Sequence, residues 1–111
     1  MTEARFTPEF AAALKKYSNV KKSAQNKIDN LLQNPSGFGE PLKYGLEGFN
    51  SCSVKKGFIF VYVYCKECRA RGHDKTNSCK NCEETPDEVV KFITIGPHDK
   101  AYESAPKIAL P

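Results

Sequence analysis

The stretch Phe58-Ile59-Phe60-Val61-Tyr62-Val63-Tyr64 decides the fold of this chain. Each of its residues is β-branched or aromatic, which is the composition of a β-strand, and both faces of that strand are apolar. A strand with two apolar faces is typical of the centre of a sheet that is covered on both sides. A similar run, residues 89–95, follows further along the chain, and we expect the two runs to pair as a hairpin.

Four cysteines, Cys65, Cys68, Cys79 and Cys82, lie between these two runs. They form two C-x-x-C pairs, and we expect each pair to place its sulfurs on one tight turn. This spacing suits four thiolates around one zinc ion, and a closed shell of thiolates leaves no position for substrate. The sequence therefore predicts a structural zinc knuckle, at about residues 65–82, inserted at the far end of the hairpin. The alternative is two disulfides, which a reducing cytosol disfavours.

Length and composition indicate one small domain, residues 1–111, with a single core. No apolar stretch is long enough to cross a membrane, and the first residues lack the apolar core of a secretory signal. We therefore expect a cytoplasmic protein without a membrane partner. The net charge of +4 permits binding to nucleic acid without requiring it. Cys52, the odd cysteine, is predicted to be a small buried residue.

Two helices are predicted ahead of the central strand, after a first strand at residues 4–7. Pro8 suits the first turn of a helix, with Thr7 as its N-cap. The second helix has a stripe of apolar residues at helical spacing. Its members are Val20, Ala24, Ile28, Leu31 and Leu32. Turn residues at 34–37 end this helix, and we expect the two helices to form a hairpin that packs on the sheet.

The remaining segments complete a β-αα-β-β-(zinc loop)-β order. A strand at residues 51–54 and a turn at residues 55–57 lead into the central strand. After the last strand, residues 96–99 are predicted to form a turn. Residues 102–111 contain two prolines and are predicted to be an irregular tail. This order predicts an α+β fold.

Five segments of the chain, taken in order, carry a family resemblance. They are Arg5-Phe6-Thr7, Asn34-Pro35 followed by Leu42-Lys43, Leu46-Glu47-Gly48-Phe49, Val61-Tyr62, and Ile95-Gly96-Pro97-His98-Asp99-Lys100-Ala101-Tyr102. The last is similar to a closing I-G-x-H-x-x-x-Y/F segment. Together they resemble the RelE/ParE toxin superfamily, and most closely the RelE- and YafQ-type mRNA interferases. The resemblance implies an N-terminal strand and helical hairpin packed on a curved, mostly antiparallel sheet, with the zinc loop inserted between the last two strands.

The resemblance also implies a function. Such proteins are toxins of type II toxin–antitoxin systems that cut mRNA in the ribosomal A site. The 2′-hydroxyl of the RNA attacks the adjacent phosphate, a reaction that needs a base, an acid and cations but no metal. The expected partners are a cognate antitoxin, the ribosome and mRNA.

By position, the resemblance assigns roles to individual residues. His98 is the expected acid or base, since its ordinary pKa lies near neutrality. Tyr102 matches the closing aromatic residue, and Lys43 lies where basic residues precede the sheet; both are expected to be catalytic. The expected RNA-binding residues are Lys55, Lys56 and Asp99.

The chain also departs from the family pattern. Ser53 and Gly57 occupy positions where YafQ-type members often have catalytic polar residues, and Thr94 occupies the position of an arginine. None of the three arginines of this chain is expected in the cleft. Two alternatives therefore remain. One is a catalytically silent RelE-fold module whose zinc knuckle contacts RNA or protein, and the other is a ParE-like toxin that binds gyrase.

Overall fold

A single five-stranded sheet forms the centre of the molecule in the computed structural model, which describes residues 2–35, 39–41, 49–55, 57–72 and 85–108. The strands are β1 (Glu3–Phe6), β2 (Glu40–Pro41), β3 (Asn50–Lys55), β4 (Phe58–Tyr64) and β5 (Val89–Pro97). They lie in the order β1-β5-β4-β3-β2, with β1 parallel to β5 and all other neighbours antiparallel. The mostly antiparallel α+β architecture and the central position of β4 are confirmed.

Along the chain, the described helices lie between strands of this sheet or after its last strand. They are α1 (Pro8–Lys16), α2 (Lys21–Gln33), α3 (Cys65–Ala70) and α4 (His98–Ser104). A 3-10 turn, Ser18–Val20, joins α1 to α2, and a second one, Ala105–Lys107, follows α4. The predicted cap of α1 is confirmed, because the Thr7 hydroxyl accepts a hydrogen bond from the Phe10 amide at 2.9 Å.

The central strand is buried on both faces, as its composition predicts. Phe60 and Tyr62 belong to a core cluster beneath α1 and α2. Val61 and Val63 point to the other face, where they form a second cluster with Ala101 of α4. The predicted stripe of α2 supplies several buried members of the first cluster, namely Val20, Ala24, Ile28 and Leu31. Two cores on one sheet therefore hold β4 in place from both sides.

Two sequence predictions are wrong. Cys65 and Cys68 begin a helix, α3, and not a tight turn. The predicted turn at residues 96–99 and the start of the predicted tail are instead the end of β5 and helix α4. The buried face of α4 consists of small residues, Ala101 and then Ala105 of the following 3-10 turn, which give little hydrophobic signal.

Candidate active site

Two adjoining clefts, each of about 380 Å³, open where β3 meets the start of β4. Lys27, Ser53, Ile59 and His98 line both of them. The first cleft adds Ser51, Cys52 and Tyr102, and the second adds Lys55 and Gly57. Because they share four residues, we treat the two clefts as one groove. The volume of each cleft is in the range that accommodates small ligands in proteins.

His98 stands at the mouth of the groove as the first residue of α4. Its backbone N–H donates to the Gly57 carbonyl at 2.9 Å, which ties the start of α4 to the turn between β3 and β4. Its Nδ1 lies 3.3 Å from Oδ1 of Asp99, and its ring meets the ring of Tyr102 edge-on, with 4.4 Å between centroids. When Nδ1 donates to Asp99, Nε2 carries the lone pair and can accept a proton.

Tyr102 connects α4 to the sheet. Its hydroxyl donates to Oγ of Ser51 at 3.2 Å, and Ser51 is a buried residue of β3 paired with Val61. Because Tyr102 follows His98 by one helical turn, the two rings lie on the same face of α4. The hydrogen bond therefore fixes the position of the His98 ring relative to β3.

The positive charge in the described part of the groove comes from lysines. Lys55 lies next to an irregularity in the β3–β4 register, between Ser53 and Lys55, of the kind that redirects side chains at a sheet edge. Lys27 comes from α2 and lines both clefts. Within the described ranges, neither lysine forms an ion pair.

Two buried groups have shifted pKa values: Cys52, which lines the groove, and Tyr62, which lies against the lining residue Gly39. Burial raises the pKa of the Cys52 thiol, and the Lys27 ammonium opposes part of that rise. Burial also raises the pKa of Tyr62 well above its ordinary value, and Cys52 and Glu67 add to the rise. Gly39 covers the Tyr62 hydroxyl so closely that a Cβ there would lie 2.1 Å from its oxygen. Both groups therefore stay neutral at physiological pH.

The structure brings together some of the predicted site residues. His98 and Tyr102 share one cleft, and Lys55 lines the adjoining one. Asp99 contacts His98 and is exposed. Lys43 and Lys56 lie outside the described residues.

Sequence reasoning missed Lys27 and Ser51 as groove residues. Lys27 looks like one more lysine on the solvated face of a helix, and Ser51 looks like an ordinary strand residue. The one available signal is that Lys27 precedes Ile28, a buried member of the apolar stripe, and so lies at the edge of the face that packs on the sheet.

The described cysteines of the predicted zinc knuckle lie at the other end of β4. Five residues of β4, 60–64, separate the groove residue Ile59 from Cys65, which is about 20 Å at the usual rise per residue. Cys65 and Cys68 are both buried and one helical turn apart, so their sulfurs project from the same side of α3. Cys79 and Cys82 lie outside the described residues. In the described part of the chain, no three His, Cys, Asp or Glu side chains form a cluster suited to a metal ion.

The three arginines, Arg5, Arg69 and Arg71, are also grouped away from the groove. Arg5 lies 2.6 Å from the Glu3 carboxylate and donates to the Thr85 hydroxyl at 3.3 Å. Arg69 donates to the Asp87 carboxylate and to the Thr85 carbonyl. Arg71 lies 3.8 Å from Glu67. Arg5 and Arg69 therefore tie the segment before β5 to β1 and α3, whereas Arg71 forms its ion pair with Glu67 of α3.

No helix within the described ranges is long and apolar enough to cross a membrane. No family model and no curated protein sequence matches the chain. Solved structures do match.

YafQ from E. coli aligns with 92% of this chain and 99% of its own, with a TM-score of 0.63 and 12% identity. YafQ in the E. coli DinJ–YafQ complex gives a TM-score of 0.62 at 13% identity, over 92% of this chain and 99% of that one. The YoeB/ParE toxin from Agrobacterium tumefaciens gives a TM-score of 0.61 at 16% identity, over 87% of this chain and 99% of its own. At these identities the likeness establishes the fold and not the activity. The chain therefore has the fold of YafQ and of the YoeB/ParE toxin.

Proposed function

We propose that this protein is the toxin of a type II toxin–antitoxin system and an endoribonuclease that cuts mRNA on the ribosome. The shared fold with YafQ and YoeB/ParE-type toxins supports the class. The observation that carries the activity is that His98 and Tyr102, both marked by the resemblance, line one groove together with hydroxyl and ammonium groups.

The groove contains groups suited to cleavage by the 2′-hydroxyl of the RNA. Nε2 of His98 takes the 2′-hydroxyl proton as the 2′-oxygen bonds to phosphorus. The bond from phosphorus to the 5′-oxygen then breaks, which leaves a cyclic phosphate and a 5′-hydroxyl. The leaving oxygen needs a proton, for which the Tyr102 hydroxyl and the Lys43 ammonium are the candidate acids. Lysine ammonium groups offset the charge on the phosphorane.

The direct test is mRNA cleavage on purified ribosomes, mapped by primer extension. We expect wild type to cut within the A-site codon and His98→Ala to cut about 10² to 10⁴ times more slowly, the usual contribution of a general acid or base. His73→Ala, which removes the other histidine of the chain, is the control and should cut like wild type. Absence of cleavage by wild type, on ribosomes that an established toxin of this fold does cleave, contradicts the proposal.

The proposed partners are a cognate antitoxin, the ribosome and mRNA, in the cytoplasm. The E. coli complex of YafQ with DinJ supports the first of these. We expect expression of the chain alone to arrest growth and co-expression of its antitoxin to restore it. Normal growth at a protein level that is toxic for YafQ contradicts the toxin assignment.

A catalytically silent binding module is the second candidate. The observation that favours it is the placement of the arginines, all three of which make contacts at the end of β4 away from the groove. A guanidinium that stabilises a phosphorane is worth several orders of magnitude in rate. The cleavage assay separates the two candidates, because a silent module binds without cutting.

We further propose that Cys65, Cys68, Cys79 and Cys82 hold one structural zinc ion. Two buried thiols that project from the same side of α3 are suited to half of a four-thiolate shell. Such an ion stabilises the fold and supplies no chemistry at the groove. Purified protein is expected to contain one zinc per chain, and Cys65→Ser should lose both the metal and thermal stability. Cys52→Ser is the matched control and should keep the metal. A metal-free wild type overturns this proposal.

A further inference from the structure

A lysine that the family resemblance does not mark occupies the centre of the groove. Lys27 is the only lysine or arginine that lines both clefts in the described part of the chain, whereas Lys55 lines one. It comes from α2, while the other described groove residues come from the sheet, from α4 and from connecting segments. Lys27 therefore brings a positive charge to His98 and Ser53 from an element outside the sheet.

The position of Lys27 is fixed by packing. Ala24, Ile28 and Leu31 lie three residues before, one after and four after it, and all three are buried against the sheet. This arrangement leaves Lys27 on the border of the packed face, where its exposed side chain lines both clefts. The effect of its charge on the buried Cys52 thiol is consistent with an ammonium group held at the groove.

No carboxylate among the described residues pairs with the ammonium group of Lys27. Within the described ranges, Lys66 lies 3.6 Å from Glu88 and Lys107 lies 3.9 Å from Glu103, but no carboxylate pairs with Lys27. An ammonium group that pairs with no described carboxylate, and that lines a groove with serine hydroxyls and an imidazole, is suited to an anion. Each of the two clefts that Lys27 lines has a volume of about 380 Å³, which leaves room for a phosphate and the sugar attached to it.

We propose that Lys27 binds the RNA phosphate beside His98 and supplies the cation that no arginine supplies in this groove. This inference rests on the proposed nuclease function for the identity of the phosphate as RNA. Lys55 and Ser53 on β3 contact the same phosphate from the opposite side. Lys27 is thus a substrate-binding residue contributed by α2. Its ammonium group stabilises the negative charge that increases on the phosphate oxygens as the 2′-oxygen attacks.

Binding is tested first with inorganic phosphate and purified protein, at constant ionic strength with chloride as the reference. In ¹H–¹⁵N spectra of wild type, we expect the amides of Ser53, Lys55 and His98 to shift as phosphate is added. Lys27→Met should weaken this binding at least fivefold, and Lys27→Arg should retain it. Lys22→Met, on the same helix but outside the groove, should bind phosphate like wild type. Equal affinity in Lys27→Met and wild type, or shifts confined to other surfaces, overturns the proposal.

Single-turnover cleavage on ribosomes then separates this inference from the proposed function. If wild type cuts mRNA, Lys27→Met should cut at least tenfold more slowly and Lys22→Met at the wild-type rate. Cleavage by Lys27→Met at the wild-type rate overturns the role of Lys27 and leaves the nuclease assignment standing. Phosphate binding that depends on Lys27, without cleavage by wild type, supports the anion site and overturns the nuclease.

Discussion

Replacing Thr7 by valine tests how helix α1 is attached to the sheet. The β1–β5 ladder ends at the pair Phe6 and Phe92, and the Thr7 hydroxyl then donates to the Ile93 carbonyl at 2.6 Å. The same oxygen accepts the Phe10 amide at 2.9 Å and so caps α1. Thr7 is 1% exposed, so water replaces neither bond when the hydroxyl is removed.

The expected loss follows from these two bonds. Removal of a threonine N-cap costs about 1 kcal/mol. A buried carbonyl left without a donor, here that of Ile93, costs about 2 kcal/mol. Burial of the methyl group that replaces the hydroxyl stabilises the variant by less than about 1 kcal/mol. We therefore expect Thr7→Val to lower the free energy of unfolding by about 2 to 3 kcal/mol.

Urea denaturation of wild type, Thr7→Val and Thr7→Ser measures this difference. Serine keeps both hydrogen bonds and loses one methyl group, so it should cost only about 1 kcal/mol. The midpoint should fall in the order wild type, Thr7→Ser, Thr7→Val, with the same slope for all three. A valine variant as stable as the serine variant refutes the reasoning, because shape and not hydrogen bonding would then determine the contribution of this residue.

Three further predictions concern residues that line the groove or lie against a lining residue. Gly39→Ala should destabilise more than Gly57→Ala in thermal melts. Both residues have positive φ, which costs alanine about 1 to 2 kcal/mol, but only at Gly39 does the new Cβ collide with Tyr62. Alkylation of Cys52 by iodoacetamide, followed by peptide mass spectrometry, should be slower in Lys27→Met, since loss of the nearby positive charge raises the pKa of the thiol further. Stability to urea should fall as pH rises above about 10, because the unfolded chain then releases a proton that folded Tyr62 retains, and Tyr62→Phe should weaken this dependence.

The sheet and the first two helices are predictable because their sequences carry strong periodic signals. The run from Phe58 to Tyr64 is apolar at every position, and the stripe of α2 repeats at helical spacing. Helix α4 carries no such signal, since it is anchored by alanines and followed by Pro106. Its formation depends on the second face of the sheet, which no local pattern reveals.

The residues of the candidate site also differ in whether the sequence alone could identify them. His98 and Tyr102 could be named from a sequence segment, since one helical turn brings them together whatever the rest of the fold does. Lys27 could not, because its place in the groove depends on how α2 packs against β3. Residues that reach a site from a distant element become visible only once the packing is known.

The connection between β4 and β5 can tolerate insertions. Residues 65–88 lie between the two strands, where a tight hairpin needs only about two to five residues. The amide of Lys66 donates to the Asp87 carbonyl at 3.1 Å, and that of Glu3 to the Glu88 carbonyl at 2.8 Å, so both ends of the connection are anchored to the domain. Doubling the length of such a connection costs only about 0.6 kcal/mol of closure entropy. The connection between β4 and β5 is therefore a site at which a binding module can be inserted, in evolution or by design, without changing the shape of the groove.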